Sequence, residues 1–129
     1  MSERGEMITL CGSQYELILT TQATRKINRR YGGLGKLGDK LSNSEGFEEI
    51  IDELVWLLTL LTNQGILVHN AVNKFFAEKQ KPLFSEDEIE VLTSPIDFAD
   101  YKDAIYKTLQ KGTSRHVKSE ENLKNVTVG

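Results

Sequence analysis

Residues 47–61 run Phe47-Glu48-Glu49-Ile50-Ile51-Asp52-Glu53-Leu54-Val55-Trp56-Leu57-Leu58-Thr59-Leu60-Leu61, and the reading of this stretch decides the fold. Phe47, Ile50, Ile51, Leu54, Leu58 and Leu61 keep the i, i+3, i+4, i+7 spacing that lines one face of a helix. In the first half, Glu48, Glu49, Asp52 and Glu53 take the outer face, near the positive end of the helix dipole. The second half, residues 55–61, is apolar almost all round, so it must be enclosed on several sides by its own domain or by a partner. A helix over residues 47–63 therefore sits at the centre.

On the N-terminal side, residues 7–19 alternate in the manner of a β-hairpin, with Gly12-Ser13 as the two-residue loop. That loop would set Leu10 opposite Tyr15, Ile8 opposite Leu17 and Thr9 opposite Glu16, giving one apolar face. Thr20 or Thr21 can cap a helix carrying Ala23, Ile27 and Tyr31 at four-residue intervals, and Gly32-Gly33 stops it. Its other face is basic: Arg25, Lys26, Arg29 and Arg30. A glycine-rich connection, residues 32–38, then leads through Ser42, Asn43 and Ser44 to the central helix.

On the C-terminal side, Asn63-Gln64-Gly65 reads as a break. Residues 66–79 read as a helix with Leu67, Ala71, Val72, Phe75 and Phe76 inward, ended by Lys81-Pro82. Ser85-Glu86-Asp87-Glu88 is a capping box for a short helix to Leu92. Ser94-Pro95 opens the last long helix, with Phe98, Tyr101, Ile105 and Leu109 as its stripe, ending near Gln110. From Thr113 the chain is polar, with no sustained period. The expected fold is α+β and predominantly helical. An N-terminal β-hairpin packs on four to five helices in one globular domain, residues 1–112, followed by a disordered, flexible C-terminal tail, residues 113–129.

Composition agrees with a single core. The chain has 129 residues, 39% hydrophobic and 27% charged, enough to bury roughly two-thirds of its unfolded surface. A net charge of −3 supplies no long-range attraction to nucleic acid or anionic membranes. The lone Cys11 cannot form an intramolecular disulfide, the N-terminus lacks a secretory layout, and the longest apolar run is far short of the roughly 20 residues of a membrane helix. Catalytic chemistry is equally thin. The two histidines, His69 and His116, fall in a helical pattern and in the expected tail, with no nucleophile spaced beside either. Glu86, Asp87, Glu88 and Glu90 lack the ligand spacing of a calcium loop, and residues 32–38 carry neither the Walker spacing nor the dinucleotide fingerprint. No enzyme activity, catalytic residue, cofactor or metal site is expected. The basic helix face could touch phosphates, but four cations on a net-negative chain make a poor nucleic-acid footprint. Aromatic anchors dominate protein interfaces, so Trp56, Phe75, Phe76 and Phe84 are the interface candidates.

The order of these features resembles that of tail assembly chaperones of long-tailed bacteriophages and the related small protein of gene transfer agents. The likeness spans residues 7–111. It comprises the hairpin Ile8-Thr9-Leu10-Cys11-Gly12-Ser13-Gln14-Tyr15-Glu16-Leu17, the helix ending Tyr31-Gly32-Gly33-Leu34, the apolar helix of residues 47–61, the Ser85-led acidic helix, and Ser94-Pro95-Ile96-Asp97 opening the last helix. The resemblance implies a protein that binds the tape-measure protein and helps recruit tail-tube subunits during phage or prophage tail morphogenesis. It would act in the cytoplasm of the infected or lysogenic bacterial host and be absent from the mature virion. The tape-measure and tail-tube proteins would be its partners, with a homo-oligomer as a further association, and neither membrane nor nucleic acid is expected among them. The competing readings are a structural tail connector or terminator subunit and a small nucleic-acid-binding regulator.

Overall fold

The structure, a computed structural model, describes residues 4–43 and 47–128, with side chains described up to residue 114 except that of Phe47. Ser44 and the side chains of Phe47 and His116 thus lie outside the described residues. The molecule is predominantly helical, with a two-stranded antiparallel hairpin, β1 (Met7–Leu10) and β2 (Ser13–Glu16), ahead of five helices. These are α1 (Thr21–Tyr31), α2 (Leu34–Asn43), α3 (Phe47–Val72), α4 (Glu86–Leu92) and α5 (Phe98–Val128). Short 3-10 turns occupy Ala77–Lys79 and Pro95–Asp97.

The hairpin forms with a loop one residue earlier than expected. Ile8 pairs with Tyr15 and Leu10 with Ser13, so Cys11 and Gly12 make the turn. Their φ values of 46° and 83° are both left-handed, as a type I′ turn requires, and this turn follows the strand twist. Moving the loop by one residue moves the pairing by two, and because side chains alternate with period two the faces survive. Ile8 and Leu10 are buried as expected, and Leu17 follows them into the core.

α3 is the axis of the fold: β2, α1, α4 and α5 all pack on it. Leu57, Leu58 and Leu61 are fully buried, and Leu54, Val55 and Leu60 nearly so, as the apolar stretch demands. By length and composition α3 could cross a membrane, but more than half of its most apolar 18-residue window is buried inside the fold, which accounts for its apolarity. The expected break at residues 63–65 does not occur. Gly65 lies in the helix because a side chain there would collide with the carbonyl of Glu16, where β2 crosses α3. The close approach also lets the Ile18 amide donate to the Leu61 carbonyl at 3.2 Å.

α2 corrects a second expectation, since the glycine-rich connection is itself helical. Leu34, Leu37 and Leu41 form a stripe; Leu37 and Leu41 are buried, while Gly35 and Gly38 face open space. The caps follow the sequence. The Thr20 hydroxyl accepts from the Ala23 amide at 3.0 Å, Gly32 ends α1 in the left-handed conformation, and Ser85 and Glu88 form the reciprocal capping box of α4. Phe98, Tyr101 and Ile105 of α5 are buried, with Leu109 partly so. α5 begins after the Pro95–Asp97 turn and passes Gly112, which packs against Leu19 instead of ending the helix, so residues 113–128 have helical backbone. Without an apolar stripe such an extension has little beyond intrinsic propensity to hold it helical.

Candidate protein-binding surface

α3 stops at Val72, seven residues earlier than the spacing suggests, and the chain then doubles back along it. Asn73 begins the turn, its amide N–H and its side-chain Nδ2 both donating to the His69 carbonyl, at 3.1 and 2.8 Å. His69 Nε2 bonds the Lys79 carbonyl at 2.8 Å, which requires that nitrogen to carry the proton. Gln80 Nε2 donates to the Asn73 carbonyl at 2.7 Å and the Asn70 carbonyl at 3.2 Å. Two asparagines then stitch the returning chain to the helix. Asn70 donates to the Lys81 carbonyl and accepts from the Lys81 amide, both at 2.9 Å. Asn63 does the same for Phe84, at 2.8 and 2.9 Å. The spacings match: seven helical residues rise about 10.5 Å, and three extended steps from 81 to 84 cover about 10 Å.

This bracing holds apolar side chains outward. Phe75 is 85% exposed, Val72 77% and Phe76 48%, and Leu83 on the returning chain is exposed too. Lys74 Nζ lies 5.1 Å from the Phe75 ring centre and Lys79 Nζ 4.8 Å from that of Phe76, so the ridge is apolar with cations over its rings. Val72, Phe75 and Phe76, expected inward on a longer helix, are therefore outward; Leu67 and Ala71 are exposed too. The helix ends before the phenylalanines can follow its buried face. A groove of about 200 Å³ is lined by Trp56, Asn63, Leu67 and Leu83 among others.

Of the four aromatic candidates, the structure brings Phe75 and Phe76 together and leaves the other two at the edge of the core. Trp56 is half-buried beneath the Arg30 guanidinium, 4.6 Å from its ring centre, and meets Tyr31 edge to face. Phe84 is half-buried edge to face against Tyr15, with centroids 5.2 Å apart. The basic face of α1 is likewise divided. Arg25, Lys26 and Arg29 point to solvent, whereas Arg30 turns to Glu53 at 3.4 Å. The Tyr31 hydroxyl donates to the same carboxylate, and burial together with that bond pushes its pKa well above the usual tyrosine value. Among the described residues, no three His, Cys, Asp or Glu side chains are placed to hold a metal ion.

The clamp residues Asn63, His69, Asn70 and Gln80 escaped the sequence reading. Their signal was present: two asparagines seven apart, on one face of an otherwise apolar helix, are poor helix formers that need a reason to be there. No family model, curated protein or solved structure matches the chain.

Proposed function

We propose that this protein is a phage or prophage tail assembly chaperone that holds the tape-measure protein through the ridge of Val72, Phe75 and Phe76. The reading rests on the resemblance of residues 7–111 to that family, and one observation carries its physical side: Phe75 is 85% exposed on a turn braced by side-chain hydrogen bonds. An exposed phenylalanine on a floppy loop would lose much of its binding energy to ordering; one held in place by His69, Asn70 and Gln80 loses little. A chaperone needs apolar surface that binds another chain reversibly and stays soluble without it, and the lysines over the rings serve solubility. Tail-tube subunits would be recruited to the same complex.

The test is co-expression with a candidate tape-measure protein. The tape-measure protein should co-purify with the unaltered chain. Phe75→Ala and Phe76→Ala should leave the thermal midpoint nearly unchanged, because neither ring is buried, and weaken binding by roughly 2 kcal/mol or more, about thirtyfold. Undiminished binding by both folded variants would sink the ridge as the site. Finding the protein in purified virions would turn the assignment to a connector or terminator subunit.

A further inference from the structure

α2 packs on α1 and α5 packs on α3, and between α2 and α5 an apolar groove is left open. It has two adjoining parts, of about 310 and 410 Å³, which share Leu34 of α2 and Thr113 of α5 in their walls. Leu19, Leu34, Tyr106 and Leu109 are only partly buried there, although each rests on the core. Helical spacing puts Lys102, Tyr106, Leu109 and Thr113 on one face of α5. From Lys102 to Thr113 that face is about 16 Å long, three helical turns.

The charge around the groove has one sign. Arg25 stands in its wall, and Lys102 lies over the Tyr106 ring, 5.9 Å from its centre. No acid lines either part, and neither cation is in an ion pair among the described residues. The single acid between residues 102 and 114 is Asp103, which Lys107 holds at 3.0 Å. Both described ends of the chain are committed elsewhere. Residues 4–6 run along the other side of α5, where the Thr108 hydroxyl accepts from the Glu6 amide at 3.1 Å and Lys111 Nζ donates to the Gly5 carbonyl at 3.0 Å. Past Thr113, α5 continues along its own axis and does not return over the groove it lines.

We propose that this groove receives an acidic amphipathic helix of another protein. Its apolar residues, at i, i+3, i+4 and i+7, would sit between α2 and α5, with carboxylates beside Arg25 and Lys102. Charge selects this partner. A basic helix would bring like charges together with no acid in the wall to offset them, whereas an acidic one meets both cations at once. The groove shares no residue with the ridge of Val72, Phe75 and Phe76, so the two are separate docking surfaces.

A designed probe tests this on the full chain. It is a labelled, end-capped peptide of about sixteen residues, long enough to be helical once seated, with leucines at i, i+3, i+4 and i+7 and glutamates on the other face. The control peptide carries lysine in place of each glutamate. In fluorescence anisotropy the acidic peptide should bind at least about tenfold tighter than the basic one, and salt should narrow the gap severalfold. Amide shift changes in NMR spectra should centre on Leu34, Leu37, Tyr106 and Leu109. Arg25→Glu with Lys102→Glu should reverse the preference between the two peptides. Thr113→Glu, at the exposed junction of the two parts, should weaken the acidic peptide by about tenfold or more. Thermal melts establish that these variants are folded, and Phe75→Ala should bind the acidic peptide as the unaltered chain does.

No binding of the acidic peptide to the folded chain, or equal binding of both peptides, would overturn the proposal. So would shift changes centred on Phe75 and Phe76 with binding lost in Phe75→Ala, which would assign the peptide to the ridge. Self-association of the unaltered chain that Thr113→Glu abolishes would make a second copy the occupant, and the proposal would fall. The probe contains no tape-measure sequence, so its failure to bind leaves the co-purification test of the proposed function standing, and the reverse holds too.

Discussion

Glu16 ends β2 at a crowded crossing. Its carbonyl lies against Gly65, and its Oε2 is buried without a hydrogen-bond partner among the described residues. Burial raises its pKa, with Arg4 and Lys111 pulling the other way. A carboxyl with a raised folded-state pKa holds its proton to higher pH in the native chain than in the unfolded one. Its stabilising contribution is therefore complete below about 4.5, the ordinary value, and is lost as pH rises through the folded pKa. At neutral pH the ionised group is a burden. Glu16→Gln should accordingly be more stable than the unaltered chain at pH 7, by less than about 1 kcal/mol because solvent screens a partly exposed group. The gain should shrink as pH falls towards 4.5. Urea denaturation of both proteins across pH 4–8 checks this, and a difference independent of pH would contradict it.

At the scale of elements, three glycines separate what spacing can tell from what it cannot. Gly35 and Gly38 of α2 face open space, so nothing in the packing requires them. Gly35→Ala and Gly38→Ala should each stabilise the protein by about 0.5–1 kcal/mol, through better helix propensity and a less flexible unfolded chain. Gly65→Ala, the same change in the same kind of element, should cost more than about 2 kcal/mol because its methyl meets the Glu16 backbone. Denaturant midpoints of the three variants should have opposite signs; destabilisation by all three would mean that α2 is not the helix described. Sequence periodicity treats every glycine run as a connection. Only the surroundings of each Cα distinguish a glycine that can be replaced from one that lets two backbones touch. The same limit governed the Asn63-Gln64-Gly65 break. Asn63 clamps Phe84, and the buried Gln64 accepts from the Thr20 hydroxyl and donates to Gln22 at 2.9 Å, so three residues that look like a turn serve as contacts within a continuous helix.

For the whole molecule, one core is built around α3; among the described residues no three potential metal ligands converge, and the single cysteine, Cys11, is exposed and unbridged. Saturating EDTA and a thiol reductant should each leave the thermal midpoint within about 2 °C, against the several degrees expected for a loss of 1 kcal/mol in a chain of this size. A larger drop in differential scanning calorimetry would reveal a structural ion. Phe75, Phe76 and Leu83 are exposed on the return after α3, and Val91 and Ile96 on α4 and the turn that follows it.

The central helix, both faces of the hairpin, the caps of α1 and α4 and the stripe of α5 follow from residue order alone, because helix and strand periods and cap chemistry act over a few neighbouring positions. Tertiary structure decided the rest. Phe75 and Phe76 continue the helical spacing of Leu67, Ala71 and Val72, and no local rule ends α3 before them. The return of residues 80–84 ends it there, because Asn70 and Asn63 offer the backbone of Lys81 and Phe84 hydrogen bonds that a longer helix would forgo. Whether a phenylalanine becomes core or interface depends on what packs over it, and that is a property of distant residues.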